Sequence, residues 1–326
     1  MNRFLRVFLT ALLLLNMTAP FAQAAEDKTP LNGSELIDGL DQPYAAPDFQ
    51  GIEEWINSDP LTLQKLKGKV VLVDFWTFSC INCLRTLPYL TKWYDTYKDD
   101  GFVIVGVHAP EFGFEKKREN LEKSLDKNGI TYPIAQDNNF ATWKAYKNKY
   151  WPAHYLIDKN GKVVYAHFGE GKYDITENNI RYLLDLKGDV QQPENATPYS
   201  SNQTPETYLG TKRAAREVQT GENIPLNHWF LKGDWERKPE YIESKNENGT
   251  YSIKIHFSAK KVFLVMESAD GKPKIVTIRE KDKKSMIEVD ASRLYTVFEA
   301  DKMTDGEIAI APHEKGVRLY AFTFES

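Results

Sequence analysis

Cys80 and Cys83 are the only two cysteines in the chain, and they stand three apart in FWTFSCINCLRTLPYL, residues 75–90. That spacing suits three kinds of chemistry: a structural disulfide, half of a metal site, or a dithiol that exchanges electrons with other disulfides. As a clip the pair is weak. Closing a four-residue loop removes about 1.9 kcal/mol of chain entropy, against about 4.7 kcal/mol for a loop of 100 residues. A metal site needs further ligands, and the six histidines (His108, His154, His167, His228, His256, His313) show no paired metal spacing. The sequence therefore calls for no metal and no bound cofactor.

A redox pair needs one thiol as nucleophile and a second placed to attack the first. Lys69–Trp76 (KVVLVDFW) is an apolar run of strand length, as in a buried parallel strand. Leu84, Leu87, Leu90, Tyr94 and Tyr97 recur at spacings of three and four, so a helix follows. Cys80 then falls at the helix start, where free N–H groups and the macrodipole stabilise a thiolate. Cys83, one turn further in, is shielded and positioned for exchange through a mixed disulfide.

The surrounding elements read as β-α-β-α-(α)-β-β-α over residues 25–188. Phe102–Val107 is a second buried strand, Glu115–Asn128 a charged helix ended by Gly129, and Ala141–Lys149 a short aromatic helix. Tyr155–Ile157 and Val163–Tyr165 flank Asn160-Gly161 as a hairpin. A last helix starts near Asp174, with Glu177 completing a capping box, and stops at Gly188.

Residues 189–205 are polar, rich in Pro, Ser, Asn and Gln, and read as a linker. Beyond it, over 206–326, come short β-prone runs: Tyr251–Phe257, Lys261–Met266, Lys274–Ile278, Ser285–Val289, Arg293–Phe298, Glu307–Ile310 and Arg318–Phe324. Asn248-Gly249, Asp270-Gly271 and Asp305-Gly306 read as the turns between them, the pattern of an all-β sandwich.

The chain is 41% hydrophobic with a formal net charge of -4, and its mean hydropathy is -0.52. These values suit a globular protein of two domains and give no basic footprint for nucleic acid. Residues 1–24 read as a secretory signal peptide. Arg3 and Arg6 open it, the apolar run Val7–Met17 is too short to span a membrane, and Ala22-Gln23-Ala24 is a small-x-small cleavage site. The expectation is an exported, periplasmic protein that is soluble after cleavage.

Asp74-Phe75-Trp76, the cysteine pair and Pro88 together resemble the thioredoxin superfamily. Asp74, six residues before Cys80, matches that family's buried carboxylate, which helps proton transfer to the second thiol. Pro88, five after Cys83, matches its helix-kinking proline. Pro152, in Tyr150-Trp151-Pro152-Ala153-His154, matches its cis-proline. The resemblance thus implies a peptide-binding groove bordered by Pro152, Trp151 and Trp76.

Longer stretches sharpen the likeness. VVLVDFWTFSCINCLRTLPYL, GVHAPEF, YWPAHYLID and GEGKYDITE are similar to the exported thioredoxin-like region of DipZ-type proteins, within the TlpA-like branch. ETYLG (206–210), WFLKGDW (229–235) and RLYAFTF (318–324) are similar to the carbohydrate-binding-module-like domain that follows it there. The fold implied is an α/β thioredoxin fold followed by an all-β sandwich, jelly-roll-like. Two departures stand out. A leader occupies the place where DipZ-type proteins commonly carry a polytopic membrane domain. Ser79 and Ile81-Asn82 replace thioredoxin's Trp and Gly-Pro around the cysteines.

The resemblance implies a thiol–disulfide oxidoreductase in which Cys80 attacks, Cys83 resolves and Asp74 handles the proton. Its partners would be disulfide-containing envelope proteins and a separate membrane electron donor of the DsbD/CcdA type. Glu111, in the loop after the second strand, is a further candidate carboxylate; a solvated loop position is its alternative. Trp229, Trp235 and Tyr320 are candidate platforms for a sugar ring, hence for glycan contact through the C-terminal domain; core aromatics are their alternative. Two other functions stay open. A thiol peroxidase would carry Pro-x-x-x-Thr-x-x-Cys, in which Thr77 fits but Val73 replaces the proline. A glycan- or envelope-binding module would carry a vestigial redox fold. Ile81-Asn82 holds no charge that decides the direction of electron flow.

Overall fold

The first sheet is built around one strand that is apolar on both faces. A computed structural model describes residues 31–188, 190, 202–245 and 251–326. The expected leader, most of the expected linker and the Asn248-Gly249 turn lie outside them. Seven strands form the first sheet: β1 (Tyr44–Ala45), β2 (Glu54–Ile56), β3 (Val70–Trp76), β4 (Phe102–His108), β5 (Ile134–Gln136), β6 (Ala153–Ile157) and β7 (Lys162–Phe168). Their spatial order is β1-β7-β6-β3-β4-β5-β2. β3 lies parallel to β4 and antiparallel to β6. Its residues alternate between two cores, Val71, Val73 and Phe75 on one side, Val70, Leu72 and Trp76 on the other. That is why the run reads as continuously apolar.

Helices α1 (Ile81–Tyr97), α2 (Arg118–Lys127), α3 (Ala141–Ala145) and α4 (Tyr173–Leu183) complete this half. α1 runs through Pro88 and buries Leu87, Leu90 and Trp93 against β3. Two sequence expectations change here. The helix expected over 115–128 is split into a 3-10 turn at Gly113–Lys116 and α2, because Glu115 turns inward to bond backbone N–H groups. The capping box at Asp174 and Glu177 does not form. Lys172 is the N-cap without a side-chain bond, and Glu177 instead accepts the Tyr97 hydroxyl at 2.6 Å inside the core. α4 ends at Leu183, before Gly188.

Ten strands form the second sheet: β8 (Thr207–Tyr208), β9 (Glu217–Val218), β10 (Trp229–Lys232), β11 (Trp235–Arg237), β12 (Ile242–Ser244), β13 (Ser252–Ser268), β14 (Lys274–Glu280), β15 (Lys283–Val289), β16 (Arg293–Pro312) and β17 (Val317–Glu325). All pairings are antiparallel except β9 with β10. Four of the expected short runs are two long strands, β13 and β16. Asp305-Gly306 is no turn, since Gly306 pairs with Phe257 inside β16.

A register shift between Ala259 and Lys261 explains how β13 stays useful over 17 residues. Ile253, Ile255, Phe257 and Ala259 face the β core before it, and Val262, Leu264 and Met266 face the same core after it. The extra residue switches the parity of the strand. Val265 then faces the other way and joins Tyr320 and Ala321 in the core that also holds Cys83 and α1. Leu31–Ser326 thus packs as one compact unit. Among the described residues no helix is long and apolar enough to cross a membrane.

Candidate active site

β3 ends at Trp76, and Thr77-Phe78-Ser79 leads into α1 with Cys80 as its N-cap in extended backbone. The Cys80 Sγ accepts the Cys83 N–H at 3.3 Å, the role a serine or aspartate plays at other helix starts. Both cysteines are free thiols; Cys80 is half-buried and Cys83 wholly buried. Burial pushes the Cys83 thiol well above its ordinary range, and the Cys80 bond and the charge of Asp74 add to it. Burial also raises Cys80, the Cys83 bond pulls it back, and the charges of Glu206 and Glu111 raise it again.

Asp74 sits on the α1 face of β3, fully buried, paired across the sheet with Gly106 and His154. Its Oδ1 is 3.3 Å from His154 Nε2, but the angles are not those of a hydrogen bond, and neither carboxylate oxygen accepts one among the described residues. Gly106 makes room beside it. A Cβ there would stand 2.6 Å from Ile134 Cδ1 and 3.1 Å from both Trp76 Nε1 and Tyr132 Cε2. Tyr132, wholly buried with an unpartnered hydroxyl, fills that space. Its hydroxyl is pushed up by burial and by the charges of Asp74 and Cys83. Sequence reasoning had no signal for Tyr132, which precedes an edge-proximal strand of three residues.

The loop after β4 supplies two carboxylates. Glu111 is no solvated side chain: its Oε1 accepts Arg213 Nη1 at 2.6 Å and the Tyr208 hydroxyl at 2.7 Å. Glu115, absent from the sequence reading as a site residue, is wholly buried. It accepts the Ser79 hydroxyl at 2.7 Å, the Ser79 N–H at 3.2 Å, the Phe112 N–H at 2.9 Å and the Glu111 N–H at 2.5 Å. Burial, with the charge of Glu111, raises it to about 7. Beside it, burial holds His108 down to about 3, so the imidazole is neutral.

The Trp151–Pro152 peptide is cis and enters β6. Trp151 donates its indole N–H to the Ala109 carbonyl at 3.0 Å and packs on the same apolar cluster as Cys80. Pro152 itself is buried. Trp76 does not border a groove, because it has no exposed surface and packs edge-on to His108. Nor are Trp229 and Trp235 sugar platforms. They are 0% and 5% exposed, and their indole N–H groups donate to the Ala215 and Lys232 carbonyls. Tyr320 is likewise buried, against Phe112 and Phe114.

Two family models match the chain: the AhpC/TSA family over residues 44–166 and the thioredoxin-like C-terminal domain over residues 204–324. Protein DipZ of Mycobacterium bovis, and likewise that of Mycobacterium tuberculosis, is 36% identical over 316 residues, covering 90% of this chain. This chain spans only 44% of the length of those relatives. Thiol-disulfide oxidoreductase YkuV of Bacillus subtilis is 28% identical over 44% of this chain and 96% of its own length. NHL repeat-containing protein 2 of Homo sapiens is 33% identical over 50% of this chain and 23% of its own.

Proposed function

Because the chain belongs to the thioredoxin superfamily, in its DipZ/TlpA-like branch, we propose that it is an exported thiol–disulfide oxidoreductase that reduces disulfides of envelope proteins. One observation carries the reading: Cys80 caps α1 with its sulfur on the Cys83 N–H, over a buried Asp74. The Cys80 thiolate attacks one sulfur of a substrate disulfide. That S–S bond breaks, a mixed disulfide forms, and the departing substrate thiolate takes up the proton Cys80 gave up. Cys83 then loses its proton towards Asp74 and attacks the Cys80 sulfur. The mixed disulfide breaks, and the second substrate thiolate leaves and is protonated. Two electrons and two protons pass from the protein dithiol to the substrate.

Burial of Cys83 explains the need for Asp74. A thiol held well above its ordinary range ionises only if a nearby base accepts its proton. Trp151, on the same apolar cluster as Cys80, and Pro152 would border the pair and bind the substrate backbone. The expected leader supports export, and the electrons would come from a membrane donor of the DsbD/CcdA type. The reduction potential of the full chain, equilibrated with glutathione, tests the direction. A value near or below about -270 mV fits a reductant, and one near about -120 mV makes the protein an oxidant.

The AhpC/TSA match favours a second reading, a thiol peroxidase. Val73 stands in β3 where that motif needs proline, which weighs against it. Peroxide consumption by the reduced protein at a rate far above free cysteine would restore it.

A further inference from the structure

Three titratable side chains stand in one row across the first sheet. Asp74 of β3 pairs directly with His154 of β6, and His154 pairs directly with His167 of β7. Directly opposed residues share a face of the sheet. Leu72, Leu156 and Tyr165, each two residues from a member of the row, belong to the core that holds α1 and Cys83. Residues two apart on a strand point the same way, so the row lies on the α1 face.

The row runs from the interior outwards. Asp74 and His154 are wholly buried, and His167 is half-buried. Asp74 Oδ1 stands 3.3 Å from His154 Nε2. The last torsions of aspartate and histidine have broad wells, so a small turn of either side chain completes a bond at that distance. The two imidazole centroids are 6.3 Å apart with their planes at 47°, a gap that one water bridges. Among the described residues, both carboxylate oxygens of Asp74, both ring nitrogens of His154 and Nε2 of His167 are buried without a hydrogen-bond partner. Unpaired polar atoms are costly in a core. A line of them from a buried carboxylate towards the surface serves the traffic of protons better than it serves stability.

Asp74 needs such an outlet. Once it has taken the Cys83 proton, it has no exposed surface from which to release it. A neutral imidazole carries one free nitrogen and one N–H, so it accepts a proton on one side while giving one up on the other. Burial, with His154 beside it, holds His167 down to about 4, so at neutral pH its ring is free to accept.

We propose that His154 and His167 form the path by which Asp74 exchanges its proton with solvent. The inference rests on Cys80, Cys83 and Asp74 working as described above. As the Cys83 sulfur attacks the Cys80 sulfur, its S–H bond breaks and the proton passes to Asp74. Asp74 gives a proton to His154 Nε2. His154 releases the proton it held on Nδ1, through one water, to His167 Nε2, and His167 releases one from Nδ1 to solvent. No electrons move along the row. When a donor re-reduces the disulfide, a proton returns over the same atoms to the Cys83 sulfur and resets both tautomers. His154 and His167 act through Asp74 and are positioning residues for its proton.

Stopped-flow measurement on the full chain separates mixed-disulfide formation from its resolution. His154→Gln and His167→Ala should each leave formation unchanged and slow resolution about tenfold, a part of what general acid–base catalysis contributes. Added imidazole, a diffusible proton carrier, should restore the resolution rate of His167→Ala, since that position is half-buried and reaches solvent. Rescue separates proton transfer from support of the sheet. A folded variant of either kind that resolves at the wild-type rate overturns the inference, as does a slow His167→Ala chain that imidazole leaves slow. If His154→Gln does not fold, the imidazole response of His167→Ala decides alone. An Asp74→Asn chain that resolves as fast as wild type overturns instead the reading of Asp74 on which the inference rests.

Discussion

The Ser79 hydroxyl donates to the wholly buried Glu115 carboxylate at 2.7 Å, and that bond ties the turn before Cys80 to the loop after β4. Three backbone N–H groups, from Ser79, Glu111 and Phe112, converge on the same carboxylate. Four donors satisfy it, yet burial still raises it to about 7.

A pH signature follows. In the unfolded chain Glu115 ionises near its ordinary 4.5, and in the folded chain near 7. Between those values the folded state binds more protons, so this group makes stability fall as pH rises through the window. The loss is about 3 kcal/mol when complete. Glu115→Gln cannot titrate. Its stability relative to wild type, from urea unfolding at pH 4 and pH 8, should rise by about that amount across the window. A difference independent of pH contradicts the assignment.

Arg85 on α1 joins both halves of the molecule, with Nη1 3.0 Å from Glu170 and Nη2 2.8 Å from Glu325 of β17. All three side chains are nearly buried. Arg85→Met leaves Glu170 without its cation and Glu325 with only Lys261, 3.9 Å away, and should cost about 3 kcal/mol in urea unfolding. Adding Glu325→Gln to it should recover part of the loss, because it removes the negative charge that acts on Glu170. If the double variant is no more stable than the single one, the pairs are independent of each other.

Gly106 faces Asp74 across β3 and β4, with Tyr132 and Trp76 closing over it. Gly106→Ala should force Ile134, Tyr132 or Trp76 to move, destabilising by about 1–3 kcal/mol. It should also slow the second, resolving step more than the first, since the groups displaced surround Asp74 and Cys83. Stopped-flow separation of mixed-disulfide formation from its resolution reads this. Equal slowing of both steps would mean that the displaced groups do not act on the resolving step.

The cysteine pair and its helix were legible because every signal is local. β3 is a run of seven buried residues, and the helix starts one residue after Cys80, with its apolar period running from Leu84. Asp74 stood out as a carboxylate inside that run. Glu111 was visible as a residue but not as an interface group, since its partners Tyr208 and Arg213 lie 97 and 102 residues away. Glu115 looked like one more charge on a charged helix. Residue type alone does not separate core from surface for tryptophan, so the sequence leaves Trp229 and Trp235 as sugar platforms or, the commoner case, core aromatics; they are core. β13 read as two strands because the shift after Ala259 interrupts its alternation.

The most direct test of the central claim is trapping of the mixed disulfide. Cys83→Ser, incubated in excess with a disulfide-bonded substrate such as insulin, should accumulate a covalent adduct at Cys80 that reductant removes. Cys80→Ser, which keeps only the buried Cys83, should form no adduct and reduce no insulin. An adduct at Cys83, or insulin reduction that survives Cys80→Ser, would contradict the account.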